Sequence, residues 1–516
     1  MKTAEILAEN TALKSEVKSL QSQLQRAEAR LALLSQKTFQ KKSEKHNEWP
    51  ELPFEFNEAE VIADSAQNET PEETTIPEHT RKKRKSRSET LTPDHLPRVD
   101  VHHHPESSDC PCCQAPMIEA KPEIQEQLAS LPSKFYVVRN HYHKLTCSCK
   151  EQAPVTAKRP PRLLPKSSIH AIAVATWIEQ KYDYAVPLYR IERMAKASDV
   201  GLTRSVIADA IIKTSQNMLQ PLVNMFSERI LAHDMLWIDE TRLQVLREPD
   251  RAAEQKSCFW IRRGGPPGQE AIVLDYEMHA NHEACRRLVP EYEGFLISDA
   301  FSGYIALGKK NHITNVLCSD HARRKFKEAF NTLEKVSRKK SVANDALRRY
   351  AQLYKLEEDY KSATPSQRLQ MRQTKAKPLW DDFIAWAEKM QYEGVTHPGT
   401  VKALNYFLKY KDGLRTYLSD GRLPISNILA EHVAKHVAVS RKNFLFSSTQ
   451  SGATASANCF SIVQTAKLHG HNVHKYLAVI LTELPAAQTS EQIESCLPWN
   501  LSPKDVTRRY QLLPIL

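Results

Sequence analysis

The sequence predicts a multidomain protein of the α+β class, in which a small sheet is combined with long helical regions. An apolar run at Met235–Thr241 is followed by short segments rich in β-branched and aromatic residues, which is typical of neighbouring strands. Segments with helical periodicity precede this region at 165–227 and interrupt it at 321–417. At 516 residues the chain is long enough for about two or three hydrophobic cores.

The N-terminal 40 residues are predicted to form a short coiled coil. Residues 3–36 contain no Gly or Pro, and apolar residues recur at heptad spacing. One set of seam positions holds Ile6, Leu13, Leu20, Ala27 and Leu34, and the other holds Asn10, Val17, Leu24 and Leu31. A polar Asn in a seam sets the register of a parallel pair. We therefore expect a homodimer or a higher oligomer; the alternative is a single amphipathic helix packed on its own chain.

A linker without helical or strand periodicity is predicted over residues 41–98. Its first part, 44–78, carries eleven acidic residues against one Lys. It is followed by six positive charges in seven residues, which include Arg81, Lys82, Lys83, Arg84 and Lys85. Such a run binds phosphates without reading sequence. The alternative is a solvated tail neutralised by the acidic stretch.

Cysteine is distributed unevenly along the chain. Five of the ten cysteines lie between residues 110 and 149. They form the clusters Cys110-Pro-Cys112-Cys113 and Cys147-Ser-Cys149. Two close clusters in a cytoplasmic protein favour a tetrahedral zinc site over disulfides. Residues 102–104 are three consecutive histidines. A His triplet in a Pro-flanked segment is typically exposed to solvent rather than bound to a metal.

Residues 161–230 are predicted to form a helical module. The candidate helices are Ile169–Lys181, Val186–Lys196 and Val206–Met218, and a Gly201-containing turn precedes the third. Two helices joined by such a turn are compatible with a helix-turn-helix unit that contacts DNA. Ordinary packed helices have the same pattern.

The next region, 231–480, is predicted to contain the principal sheet. Strands are expected at Thr241–Leu246, Cys258–Arg262, Ala271–Tyr276 and 294–299, with a helix at Asn281–Val289 before the last strand. Three antiparallel strands, a helix and a parallel strand are the core of a ribonuclease-H-like fold. In that arrangement Asp239 and Asp299 are neighbours, although 60 residues separate them in the sequence.

Two adjacent carboxylates predict a metal site at this position. They repel each other unless a positive charge lies between them. Magnesium suits oxygen ligands and phosphates, and two such ions support in-line displacement at phosphorus. The alternative is that each Asp only forms a turn or caps a helix.

A third acid is available at Glu431, in a predicted helix. Ser426 is the expected N-cap, and Ile428, Leu429, Val433 and Val437 recur at helical spacing. Glu431 lies one turn after Asn427, so we expect both on a face opposite part of the apolar stripe. Arg441 and Lys442 follow as a basic patch.

The 132 residues between Asp299 and Glu431 are too many for a simple loop. Residues 320–420 are therefore predicted to be a helical insertion rich in Lys and Arg. Arg323 and Arg324 are candidates for contact with DNA, although solvated basic faces are common.

The net charge and the hydropathy of the chain indicate which kinds of partner it is expected to bind. The formal charge of +11 and the pI near 9.0 favour a polyanion; ribosomal and membrane surfaces are alternatives. No apolar run approaches the ~20 residues needed to cross a bilayer, and a signal-peptide core is absent at the N-terminus. We expect a cytoplasmic, nucleoid-associated bacterial protein without membrane contact.

Several motifs in this order resemble transposases of the insertion-sequence-66 family. They are Asp239-Glu-Thr, Ser298-Asp-Ala-Phe-Ser-Gly-Tyr, Cys318-Ser-Asp-His-Ala-Arg-Arg-Lys-Phe, residues 420–446, Ser461–Gly470 and Leu497-Pro-Trp-Asn. The resemblance implies a catalytic Asp/Asp/Glu triad at Asp239, Asp299 and Glu431, which would hold two Mg²⁺ or Mn²⁺ ions. It places His321 and Arg324 near that site.

The resemblance also implies one structural Zn²⁺ in residues 99–160. Its ligands would be Cys110, Cys113, Cys147 and Cys149. The family module normally ends in Cys-x-x-Cys, whereas this chain has Cys147-Ser-Cys149. Cys112, His141 or His143 could substitute for one ligand.

The implied activity is DNA transposition, by either a cut-and-paste or a copy-type pathway. Water would attack the phosphodiester at the element end, and the 3′ hydroxyl released would then attack target DNA. Double-stranded DNA is the expected partner, and the family also implies accessory proteins of the same element.

Ser426, His432, Ser440 and Ala453 depart from the family pattern. These departures leave open a transposase-derived DNA-binding protein that no longer cuts, and a zinc-and-zipper regulator is a third alternative. Residues 481–516 are expected to form a separate C-terminal segment.

Overall fold

The computed structural model describes residues 91–515 except 106, 110–113, 132–133, 148–152, 310–311 and 335. The predicted coiled coil at 1–40, the basic run that contains Arg81, Lys82, Lys83, Arg84 and Lys85, and most of the linker lie outside the described residues. Cys110, Cys113 and Cys149 also lie outside them.

The first described region is a small sheet built on a long hairpin. Its strands are β1 (Arg98–His103), β2 (Ile118–Leu131), β3 (Lys134–Thr146) and β4 (Val155–Thr156). The order is β1-β3-β2, with β4 also on β3. The register of β2 against β3 shifts between Ala120 and Glu123, at Pro122, which has no N–H to give to the ladder.

Four α-helices follow the small sheet. They are α1 (Ala171–Tyr182), α2 (Leu188–Ala197), α3 (Arg204–Thr214) and α4 (Gln220–Leu231), with a π-helical turn at Ser215–Leu219. The three predicted helices are confirmed within a few residues of their ends. Thr203 caps α3 by accepting a hydrogen bond from the Val206 N–H, so the helix begins two residues earlier than predicted.

The central sheet contains six strands. They are β5 (Met235–Arg247), β6 (Lys256–Gly264), β7 (Ala271–Glu277), β8 (Gly294–Ser298), β9 (Ile313–Leu317) and β10 (Phe446–Thr449), with helices α5 (His282–Leu288) before β8 and α6 (Ser302–Leu307) after it. The order is β7-β6-β5-β8-β9, and β10 also pairs with β5. β5, β6 and β7 are antiparallel to one another, whereas β8 and β10 run parallel to β5.

Strand β5 is longer than the sequence suggested. We predicted a strand ending near Asp239 and a second one at Thr241–Leu246, but a single strand spans 13 residues. Its pairing with β6 is uninterrupted from Leu236↔Gly264 to Gln244↔Lys256. Asp239 and Glu240 do not end the strand, because the backbone of both residues remains paired with β6.

One edge of β5 is shared by two strands with a gap between them. β8 pairs with residues 235–237, and β10 pairs with residues 244–247. On the opposite edge, β6 pairs with residues 236–244 and so covers the whole gap. In the gap, the Ile238 carbonyl accepts a hydrogen bond of 2.9 Å from Asn427 Nδ2. The Asn427 side chain therefore takes the place of a neighbouring strand at this point and gives the Ile238 carbonyl its hydrogen-bond partner.

The tight turn into β8 depends on Gly294. Its φ is +133°, and a Cβ atom at this position would lie 2.5 Å from the Asp234 carbonyl oxygen. Only glycine combines this backbone conformation with so close an approach.

The predicted helical insertion is confirmed. Its helices are α7 (Ser319–Thr332), α8 (Val342–Asp359), α9 (Pro365–Met371), α10 (Lys377–Glu393) and α11 (Pro398–Arg415). They bury an aromatic-rich cluster that includes Tyr350, Trp380, Phe383 and Phe407. Partly buried Met235 and Trp237 of β5 pack against the same cluster, so the insertion is anchored on the central sheet.

The C-terminal part is helical apart from β10. It contains α12 (Ile428–Phe444), α13 (Gln450–Leu468), α14 (Val473–Glu483), α15 (Ser490–Glu494) and α16 (Pro503–Gln511). The predicted N-cap of α12 is wrong: the cap is Asn427, and its side chain bonds β5 rather than the helix. Ile428 is also exposed, whereas Glu431 is buried together with Val433 and Val437. Glu431 is therefore buried although, two residues before Val433, it projects from a different side of α12, opposite part of the apolar stripe as predicted.

One hydrophobic core links the small sheet, the four helices after it, the central sheet and the C-terminal helices, and it is separate from the aromatic-rich cluster of the insertion. It includes Leu128 and Val137 of the hairpin, Trp177 of α1, Phe259 of β6 and Leu497 near the C-terminus. None of the helices in the described part of the chain is long and apolar enough to cross a membrane.

Candidate active site

The first two predicted acids lie on adjacent strands. Trp237 pairs with Ile297 in the parallel ladder of β5 and β8. Asp239 lies two residues further along β5, and Asp299 lies just past the end of β8, close enough for its charge to repel that of Asp239. Asp239 Oδ1 accepts a hydrogen bond of 2.9 Å from the Glu240 N–H. Asp299 Oδ1 accepts one of 2.9 Å from the Phe301 N–H. Both carboxylates are thus oriented by the local backbone.

Glu431 approaches the same region from the first turn of α12. Only 7% of it is exposed. Its Oε1 atom lies 3.5 Å from Cys318 Sγ and 3.5 Å from His321 Nδ1. Its Oε2 atom lies 3.7 Å from Arg324 Nη2. The helical insertion therefore supplies the groups that surround the third acid.

Among the three predicted acids, Asp239 has a clearly shifted pKa. Burial raises the pKa of Asp239 to about 8, and repulsion from Glu240, Asp299 and Glu431 adds to this effect. Burial likewise raises the pKa of Glu240. A cluster of carboxylates that repel one another is a donor set that fits a hard divalent cation such as Mg²⁺.

Three further acids lie close to the triad in the sequence or the fold, and each has its own partner. Glu240 accepts a hydrogen bond of 2.7 Å from the Tyr304 hydroxyl. Asp275 pairs with buried Arg262 at 2.9 Å. Asp320 accepts a hydrogen bond of 2.6 Å from the Tyr354 hydroxyl. These contacts give each of the three a structural role.

Cys318 belongs to this site although the sequence did not predict it there. One ligand atom from each of Cys318, His321 and Glu431 lies within 4.8 Å of the others. Among the described residues, no other group of three acidic, His or Cys side chains is as compact. The triad carboxylates are not gathered as closely. The Cys-x-x-His spacing at 318–321 is the signal that could have revealed the cluster.

The predicted DNA contacts differ in exposure. Arg323, Arg324 and Lys442 are at least partly exposed, as expected for residues that bind phosphates. Arg441 is partly buried, and this burial lowers its pKa. Arg441 Nε is buried without a hydrogen-bond partner among the described residues.

In the predicted zinc module, Cys147 is described and buried. The two histidines considered as substitute ligands both have acidic partners: His141 bonds Asp100, and His143 bonds Glu119. His143 Nε2 also lies 2.8 Å from His102 Nδ1. These side chains form a compact histidine cluster across β1 and β3.

Comparison with family models defines the class of protein as a transposase. A model described as "Transposase IS66 family" matches residues 166–455, which is more than half of the chain. A model of the "IS66 C-terminal element" matches residues 461–499. The chain belongs to the IS66 family, the insertion-sequence-66 transposases.

Two further family models match the N-terminal part. The "zinc-finger binding domain of transposase IS66" matches residues 107–150, which supports a structural zinc ion there. The "Transposase C of IS166 homeodomain" matches residues 26–101.

Curated relatives include three proteins of Sinorhizobium fredii. The uncharacterized protein y4hP is 26% identical over 422 residues, which is 79% of this chain and 76% of y4hP. The uncharacterized protein y4jD is 26% identical over 421 residues, which is 79% of this chain and 81% of y4jD. The uncharacterized protein y4qI is 25% identical over 422 residues, with coverage of 79% and 76%. No solved structure matches the chain.

Proposed function

We propose that the protein is an active, magnesium-dependent transposase that cleaves DNA at the ends of an insertion sequence and joins them to target DNA. The observation that supports this proposal is that Asp299 and Glu431 lie close enough to Asp239 for their charges to raise its pKa. The strand order β7-β6-β5-β8-β9, with three antiparallel strands followed by two parallel ones, supports a ribonuclease-H-like core.

Asp239, Asp299 and Glu431 would hold two Mg²⁺ or Mn²⁺ ions. Such ions, when bound between carboxylates, activate an attacking oxygen and stabilise a leaving oxygen in displacement at phosphorus. The raised pKa of Asp239 supports this assignment, because the repulsion that raises it would be relieved by a cation.

The residues around the three acids would orient Glu431 and bind the phosphates of DNA. His321 Nδ1 and Arg324 Nη2 lie 3.5 Å and 3.7 Å from opposite oxygens of Glu431 and would orient its carboxylate. Asn427 fixes the start of α12 on β5 and so sets the position of Glu431 one turn later. Arg323 and Lys442 are suited to phosphate contacts, and Arg441 to a contact that its partial burial would strengthen.

The N-terminal regions would support assembly on DNA. We propose that Cys110, Cys113, Cys147 and Cys149 hold the structural zinc, that the basic run at 81–85 contacts phosphates, and that the coiled coil forms a homodimer or higher oligomer. The helix-turn-helix-like pair α2 and α3 would contact the element end.

The test is transposition in cells with Glu431→Gln, with the other genes of the element present. The change removes the charge that holds a cation but keeps the shape, so transposition should fall to background while DNA binding persists. Glu388→Gln is the matched control, because Glu388 is an exposed acid of the insertion that pairs with Lys411 on its surface.

Equal transposition by the wild type and by the Glu431→Gln variant would contradict the triad. Absence of transposition in both proteins, with DNA binding intact, would favour the transposase-derived binding protein that does not cut.

A further inference from the structure

The Cys318, His321 and Glu431 side chains have the spacing of a tetrahedral metal site. Zn–S bonds of about 2.3 Å and Zn–O and Zn–N bonds of about 2.0 Å give ligand separations of about 3.5 Å for S···O and about 3.3 Å for N···O. The observed distances are 3.5 Å from Cys318 Sγ to Glu431 Oε1 and 3.5 Å from His321 Nδ1 to the same oxygen. Only small side-chain movements separate this arrangement from coordination.

The backbone holds the three residues in place. Cys318 lies between β9 and α7, His321 is in the first turn of α7, and Glu431 is in the first turn of α12. The Asn427 N–H donates a hydrogen bond of 3.1 Å to Cys318 Sγ. Burial raises the pKa of the Cys318 thiol, and this donor partly offsets that effect because it stabilises the thiolate, the form that binds metal.

Unpartnered polar atoms surround the cluster. His321 Nδ1 is buried and makes no hydrogen bond with the described residues, because its 3.5 Å approach to Glu431 does not have hydrogen-bond geometry. Asn427 is fully buried, and its Oδ1 atom also has no partner among the described residues. The same is true of Ser319 Oγ, next to Cys318. Buried polar atoms are normally satisfied, so this concentration indicates a polar or metallic ligand.

We propose that Cys318, His321 and Glu431 bind Zn²⁺ or a similar thiophilic divalent cation, at a site that is distinct from the zinc module and shares Glu431 with the proposed magnesium site. A thiolate and an imidazole select zinc over magnesium, which prefers oxygen ligands. Three protein ligands leave the fourth position for water. Binding releases the thiol proton to solvent.

This site has a regulatory consequence that rests on the proposed function. Glu431 is shared, and its Oε1 atom is the oxygen closest to sulfur and imidazole. A zinc ion there would withdraw Glu431 from Asp239 and Asp299. Zinc would therefore inhibit magnesium-dependent DNA cleavage.

The first test measures zinc content in the full-length protein after saturation with Zn²⁺ and removal of excess metal. Cys318→Ser should retain one zinc ion fewer per chain than the wild type. Cys459→Ser is the matched control, because Cys459 is equally buried but lies in α13, away from the cluster. It should retain the wild-type content.

A second variant guards against a folding defect. His321→Ala affects a partly exposed residue, and it should also lose one zinc ion while unfolding in the same thermal transition as the wild type. Equal zinc content in the wild type and in both variants of the cluster would overturn the site.

The second test adds Zn²⁺ to magnesium-dependent cleavage of element-end DNA. Activity with zinc, divided by activity without it, should fall in the wild type and in Cys459→Ser but stay near one in Cys318→Ser. Equal inhibition of all three would overturn the competition for Glu431. Absence of cleavage in every protein would refute the proposed function, and the zinc content would still decide the metal site.

Discussion

At the scale of single residues, Asp239 is the most perturbed acid of the proposed site. It is partly buried near three other carboxylates, and its pKa is raised from 3.8 to about 8. A group whose pKa is higher in the folded state stabilises the fold while it is protonated. That stability is present below about pH 4 and is lost as the pH rises towards 8.

Metal-free Asp239→Asn should therefore be more stable than the metal-free wild type at pH 8, by on the order of a few kcal/mol. The difference should shrink as the pH falls to 4 and below, because the wild-type carboxyl becomes protonated in both the folded and the unfolded state. Thermal unfolding in a chelating buffer across this pH range measures the effect. Addition of Mg²⁺ at pH 8 should stabilise the wild type more than the variant.

Asp275→Asn is the control for this measurement. Asp275 pairs with buried Arg262, so its loss should destabilise the protein by about 3 kcal/mol at neutral pH. A fall in stability with Asp239→Asn at pH 8, like that of the control, would contradict the raised pKa.

The sequence identified the acids but not their surroundings. Asp239 and Asp299 each follow an apolar run, and Glu431 lies in an amphipathic segment, so their places in strands and a helix could be predicted. Cys318 could not be connected with Glu431, because 113 residues separate them and only the path of the insertion brings them together. Ser426 fitted an N-cap by residue type, yet the cap is Asn427, because its side chain has a partner in β5.

At the scale of elements, β8 is the strand that positions Asp299. It is only five residues long and starts at Gly294, in a conformation that other residues adopt with strain. Its neighbour β9 was missed, because Ile313–Leu317 is equally short and lies beside the first helix of the insertion. Short buried strands have little periodicity, so their pairing is determined by the tertiary fold.

Gly294→Ala should destabilise the protein by more than about 2 kcal/mol, because backbone strain adds to the contact with the Asp234 carbonyl. Chemical denaturation measures the loss. Gly394→Ala is the control: Gly394 also has a positive φ, but a Cβ atom there would meet nothing within 4 Å. The Gly394→Ala substitution should lower the free energy of unfolding by about 1 kcal/mol. Equal costs would show that the close approach to Asp234 is unimportant.

At the scale of the whole molecule, regions that differ in sequence character share one core. The sequence suggested a zinc module, a helical module, a sheet domain and a C-terminal segment, since composition and periodicity change between them. Burial instead connects Leu128, Trp177, Phe259 and Leu497 in one cluster. The Tyr136 hydroxyl also donates to the Pro514 carbonyl, so the chain end contacts the hairpin. Such long-range contacts leave no pattern in the local sequence.

A fragment of residues 91–516 should therefore fold without the preceding residues and unfold in one cooperative transition. The reason is that the shared core couples the hairpin, the helices and the sheet. Calorimetry and circular dichroism provide the measurement, with the van't Hoff and calorimetric enthalpies compared. Two separated transitions would contradict this coupling.

The gap in the edge of β5 also determines when the protein can become active during synthesis. The Ile238–Asn427 hydrogen bond joins residues 189 positions apart, and Glu431 leaves the ribosome only after the whole insertion. A polypeptide released before that point has both aspartates but no third acid. On the proposed function, a prematurely terminated product is therefore unable to cut DNA, and partial copies of the protein cannot nick the host chromosome.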